Sequence, residues 1–220
     1  MARLVPFAFV LLLTGCANYV SDAPPDSRID VSDAYAEDAL ATASLAVVVG
    51  EVVVTDDAVS THLGGAPEAA GATYRAFFAR QLPTAFGTAR VGRVEVVDAA
   101  ALGLATARPA DGARLDALDA DFVLLLDTLH VRRATYYRET IPVQPGQAAG
   151  PPALRQTAEE NLRIDTGIVL WDNRSGAEVA AGRLDTEREL VFARSRAVYE
   201  DAVREFVEQL ARFTPLALRE

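Results

Sequence analysis

The residues able to do chemistry are few. The two histidines, His62 and His130, have no cysteine, aspartate or glutamate at a zinc-ligand spacing, so both read as surface imidazoles and no metal is expected. Asp119 with Asp121, and Asp56 with Asp57, could ligate a divalent cation through oxygen or serve as the paired carboxylates of glycoside chemistry. Each pair stands at a strand boundary, where aspartate takes turns and free backbone donors, and neither has the spacing of a calcium loop. Ser60, close to His62, lacks the Gly-x-Ser-x-Gly turn that exposes a nucleophilic serine. Gly64, Gly65 and Gly71 form no phosphate-binding motif, and all 21 basic residues are arginine, so the lysine of a nucleotide loop is missing. No catalytic residue, nucleotide or other cofactor is assigned.

The formal net charge of -10 at pH 7 repels phosphate backbones and excludes nucleic acid as a partner. Against that acidity, Arg132, Arg133 and Arg138 surround Tyr136 and Tyr137. Amphipathic aromatics beside arginine are the composition of protein contact surfaces, so these five residues are the expected partner-binding set.

Cys16 is the only cysteine, which rules out an internal disulfide. It follows Arg3, the apolar run 4–12 and Leu13-Thr14-Gly15. That order resembles a bacterial lipoprotein signal ending in a lipobox, and the run is shorter than the ~20 residues a membrane-spanning helix needs. The resemblance implies cleavage before Cys16, a diacylglycerol on its sulfur and an acyl chain on its amine, enough lipid to hold the protein stably on a membrane. Ala17, in place of aspartate, implies sorting to the outer membrane with the body facing the periplasm. Three segments follow: residues 1–15 as signal peptide, 16–43 as lipidated cysteine and flexible linker, and 44–220 as one α/β domain. The linker carries Pro24-Pro25, Asp26 and further acids with few large apolar residues, a composition that cannot offset the entropy of ordering.

The domain must supply rigid elements to hold any surface. Residues 45–54 form a β-branched apolar run that fits a central strand covered on both faces. A helix begins at Pro67 and carries Ala70, Tyr74, Phe77, Phe78 and Leu82 at helical spacing, with Pro83 expected to stop it. Val91–Val97 is a second strand, Asp111–Leu118 a short helix, and Asp121 starts a third strand that runs through Leu126 to Val131. Residues 134–157 are punctuated by proline and glycine and read as an extended excursion. Leu162–Trp171 and Glu178–Phe192 are the fourth and fifth strands, joined by Asp172-Asn173-Arg174-Ser175-Gly176 turn chemistry. Val198, Ala202, Phe206, Val207, Leu210 and Phe213 stripe a closing amphipathic helix. The expected fold is α+β, a two-layer α/β sandwich with a mixed five-stranded sheet and helices on one face, in the order β-α-β-(α)-β-β-β-α.

The strand start Asp121-Phe122-Val123-Leu124, the hairpin from Val169 to Val179 and the last helix together resemble the curli secretion lipoprotein and the amino-terminal domain of the Tol translocation protein TolB. That resemblance implies assembly or scaffolding work. The expected function is a lipid-anchored, non-catalytic envelope lipoprotein on the periplasmic face of the outer membrane, acting as a protein-binding or assembly module. Its partners are the membrane, through Cys16, and envelope proteins. The alternative is an envelope hydrolase using the carboxylates near Asp119 and Asp121.

Overall fold

A computed structural model describes residues 27–32, 43–55, 67–87, 91–104, 106–110, 112–140, 155–190 and 196–216. Its centre is a pair of parallel strands, β2 (Ala43–Val49) and β5 (Phe122–Leu126), every residue of β5 being buried. Alternate side chains of these strands enter different cores. Leu45, Val47, Val49, Phe122, Leu124 and Leu126 join the larger cluster, while Ala46, Val48, Val123 and Leu125 join a smaller one on the opposite face. The near-continuous apolar run of the sequence thus belongs to strands covered on both sides.

The sheet is mixed and has eight strands rather than five. One path runs β1-β8-β7-β5-β2-β4, with β1 Arg28–Val31, β4 Val91–Asp98, β7 Arg155–Asp172 and β8 Ala177–Glu189. Two strands lie off it: the short β3 (Val52–Val54) pairs in parallel with the 12-residue β6 (Leu129–Thr140), and β6 pairs antiparallel with β7. Two of the additional strands arise because runs expected to be continuous are broken. Gly50-Glu51 separates β2 from β3, and Asp127-Thr128 separates β5 from β6. The breaks are in register, since Gly50 N–H donates to Leu126 O at 2.9 Å and Asp127 N–H to Gly167 O at 2.9 Å. Only glycine fits at position 50, where a Cβ would stand 2.8 Å from the carbonyl oxygens of Leu126 and Asp127. The third, β1, lies inside the segment expected as linker and pairs antiparallel with β8.

The helices also depart from the one-face expectation. α1 (Pro67–Gly87) and α3 (Arg196–Phe213) pack together on the larger core, with Phe78 and Phe206 edge to face at 5.6 Å. The short α2 (Ala99–Leu102) puts Ala99 into the smaller core on the other face. Topology explains this. The connection through α1 moves from β2 outward to β4, and the connection through α2 moves back past β2 to β5; right-handed crossovers in opposite directions must use opposite faces.

Local signals were overridden in three places. α1 continues through Pro83 because Leu82 and Phe86, both fully buried on one helical face, hold the last turn against the core. The expected helix over Asp111–Leu118 is absent from the described residues there, which form turns whose carbonyls at Leu115, Leu118 and Ala120 accept from the Asn173 amide. α2 forms earlier in the chain instead, its first turn capped by the Asp98 carboxylate accepting from Ala100 N–H at 3.0 Å. In α3 the stripe is buried from Ala202 to Leu210, but Phe213, the last helical residue, is 47 % exposed.

Candidate functional site

β7 behaves differently along its length. Its even positions, Leu162, Ile164, Ile168 and Leu170, all enter the larger core. Its odd positions change chemistry midway: Val169 and Trp171 pack in the smaller core, whereas Arg163 and Asp165 are charged and still only 8 % and 4 % exposed. In β8, Asp185 is directly opposite Asp165 and is also 4 % exposed. Two like charges facing each other are tolerated because each takes an arginine on the diagonal. Arg163 grips Asp185 through its guanidinium, with Nε at 2.8 Å from Oδ1, and Arg183 donates to Asp165. Hydrogen bonding to Asp185 raises the Arg163 pKa above its ordinary value, against the opposing effect of burial. Further out on this face, Glu187 accepts from the Tyr136 hydroxyl at 2.7 Å and from the Asn161 amide.

A cleft of about 300 Å³ opens on the charged face where β5 gives way to β6, with Asp127 and His130 on one side and Asp165, Gly167 and Arg183 on the other. The strand break makes it. Asp127 lies in the interruption, its Oδ1 accepting from the Thr106 hydroxyl at 3.1 Å, and its backbone N–H bonds to Gly167. Gly167 shares the face of Asp165 and leaves the position between Asp165 and Val169 without a side chain; a Cβ there would sit 3.5 Å from that of Asp127. His130, exposed, is the register partner of Asp165. Among the described residues no group of three or more His, Cys, Asp or Glu is placed to hold a metal ion.

The residues singled out from sequence are scattered. Asp119 and Asp121 do not converge. The Asp119 side chain is fully exposed, whereas Asp121 accepts from Ser44 N–H at 2.9 Å, from the Ser44 hydroxyl and from Arg174 Nε. The Ser44 backbone bond above all, then Arg174, holds the Asp121 carboxyl below its ordinary pKa, so it stays an anion that ties β5 to β2 and to the hairpin. That is the opposite of what a general acid in a hydrolase requires. Trp171 is fully buried, with Nε1 donating to Ala113 O at 3.0 Å. The proposed contact set divides: Tyr136 is tied to Glu187, and Arg133 donates to Glu160 at 3.2 Å. Arg132 is half-buried, while Tyr137 is 56 % exposed. The segment read as an excursion is strand to Thr140 and again from Arg155. The Arg138 side chain, Cys16, Ser60, His62 and the Asp56-Asp57 pair lie outside the described residues. No described helix is long and apolar enough to cross a membrane.

Sequence reasoning missed the ion-pair lattice and the cleft. A signal existed: Arg163-Ile164-Asp165 and Arg183-Leu184-Asp185 repeat one Arg-x-Asp pattern in two strands that pair antiparallel, which, with the aspartates opposite each other, sets each arginine on the diagonal to the other strand's aspartate.

No protein-family model matches the chain, and no curated protein sequence matches it. Among solved structures it is similar to a PelC dodecamer from Paraburkholderia phytofirmans, at 16 % identity over 90 % of this chain and 100 % of that one, with a TM-score of 0.38. It is also similar to a putative neuraminyllactose-binding hemagglutinin homolog from Helicobacter pylori, at 12 % identity over 77 % of this chain and 81 % of that one, with a TM-score of 0.41. Neither similarity transfers a property to this chain.

Proposed function

We propose that the protein is a lipid-anchored, non-catalytic module of the cell envelope, held at the outer membrane through Cys16 and facing the periplasm, that binds other envelope proteins along the edge of β6 that no described strand covers. The observation that carries this reading is the state of that edge. Leu129, His130 and Val131 have β3 on one side and β7 on the other, but from Arg132 to Thr140 the only strand partner among the described residues is β7. An edge of that length exposes a row of backbone donors and acceptors that a partner strand can extend, and Tyr137 stands on it as the most exposed large apolar side chain among the described residues. Arg132, half-buried on the same strand, favours an acidic partner segment. The anchor rests on the lipobox pattern alone.

Two measurements test the reading. Mass spectrometry of the amino-terminal peptide should find acyl chains on Cys16 of the wild type and none in Cys16→Ser; an unacylated wild type removes the anchor. A photo-crosslinking side chain at position 137, in the native cell, should give a discrete protein adduct that the same probe at Arg212, exposed on α3, does not. Equal adducts from both positions, or none from 137, would place the contact surface elsewhere.

A further inference from the structure

The cleft over Gly167 is built for a charge pattern. Asp127 N–H bonds to Gly167 O, and Gly167 is the register partner of Arg183, so the three residues lie in a row across adjacent strands. At about 4.8 Å per strand, a carboxylate and a guanidinium rise from backbones roughly 10 Å apart with an empty position between them. Among the described residues the Asp127 carboxylate has no cationic partner, its one side-chain bond being from the Thr106 hydroxyl, and Arg183, although it neutralises Asp165, is only partly engaged. Arg183 is 59 % exposed and gives Asp165 a single bond from one terminal nitrogen, so four of its five N–H donors stay available. Asp165, 4 % exposed, holds that guanidinium at the cleft's rim.

We propose that this cleft binds a small zwitterion, a free α-amino acid whose ammonium meets Asp127 and whose carboxylate meets Arg183. A simple anion would gain Arg183 but face Asp127, and a simple cation would gain Asp127 but face Arg183. A ligand carrying both charged groups on one carbon can meet Asp127 with one and Arg183 with the other. The volume of about 300 Å³ is that of roughly ten waters, room for a small amino acid. Gly167 is the residue that keeps the space open. This site is separate from the β6 edge and is independent of the protein-binding reading.

The test uses three probes on the full chain at low ionic strength, followed by amide NMR shifts at Asp127 and Gly167: glycine, glycinamide with only the ammonium, and acetate with only the carboxylate. Glycine should bind with a dissociation constant on the order of 1–10 mM, about tenfold more tightly than either half-ligand. In Asp127→Asn, where the side chain is exposed and the fold has no need of its charge, glycine should fall to the level of acetate. Gly167→Val should abolish all three responses while the spectrum of the rest of the domain is kept. Glycinamide or acetate binding as tightly as glycine, glycine binding unchanged in Asp127→Asn, or no shift at these amides overturns the proposal.

Discussion

Two regions of the sheet solve burial in different ways. Around β2 and β5 both faces are apolar, and any side chain of suitable size satisfies its neighbours. Around β7 and β8 one face is apolar and the other holds Arg163, Asp165 and Asp185 nearly out of water, where each charge is tolerable only with its own diagonal partner. The apolar region stabilises through burial, which is non-directional and scales with area, and it shares the larger core with Leu162, Ile164 and Leu184 of β7 and β8. The ionic region specifies register, because a slip of one residue would turn Arg163 and Asp165 into the larger core and part them from Asp185 and Arg183.

Substitutions in each region sharpen this contrast. Leu124→Ala, at the centre of β5 with no solvent exposure, should cost about 4 kcal/mol, read as a lower denaturation midpoint at unchanged slope. Arg163→Ala should cost about 3 kcal/mol, because it strands the Asp185 carboxylate in a buried site. Replacing both partners, as Arg163→Met with Asp185→Leu, should return stability to within about 1 kcal/mol of wild type. A double variant as unstable as the single one would show that the charges stabilise as well as specify.

A smaller effect is expected where Asp121 joins the ends of β2 and β5. Its folded pKa lies below the unfolded value of 3.8, so its stabilisation is present in full above that value and is lost as pH falls through the depressed folded one. Asp121→Asn should be about 1 kcal/mol less stable than wild type at pH 7, and the gap should close only below pH 3.8. A gap that closes between pH 5 and 7 would assign the effect to another group. Smallest of all, Tyr137→Ala should change stability by no more than about 0.5 kcal/mol, whereas Tyr136→Phe, which removes the bond to Glu187, should cost about 1 kcal/mol. Equal costs for the two tyrosines would erase the distinction between an anchored and a free aromatic on one strand.

What residue order determined by itself is the set of local periods. The β-branched run of β2, the helical spacing of Tyr74, Phe78 and Leu82, the alternation of Leu162 to Leu170 and the turn at Asp172-Asn173-Arg174-Ser175-Gly176 each state a conformation and a buried face within a few neighbouring residues. Those elements form where the pattern places them. Only the tertiary structure decided where the runs break, which faces the helices cover, and which charges are buried. Gly50 and Asp127 interrupt their strands in response to each other across the sheet, α2 lies opposite α1 because of the direction of its crossover, and Arg163 is buried because Asp185, 22 residues away, reaches it on the diagonal. In a lone strand Arg163 and Asp165 are indistinguishable from a solvated polar face. Pairing between distant segments makes them a lattice, and the gap at Gly167 beside it makes a cleft.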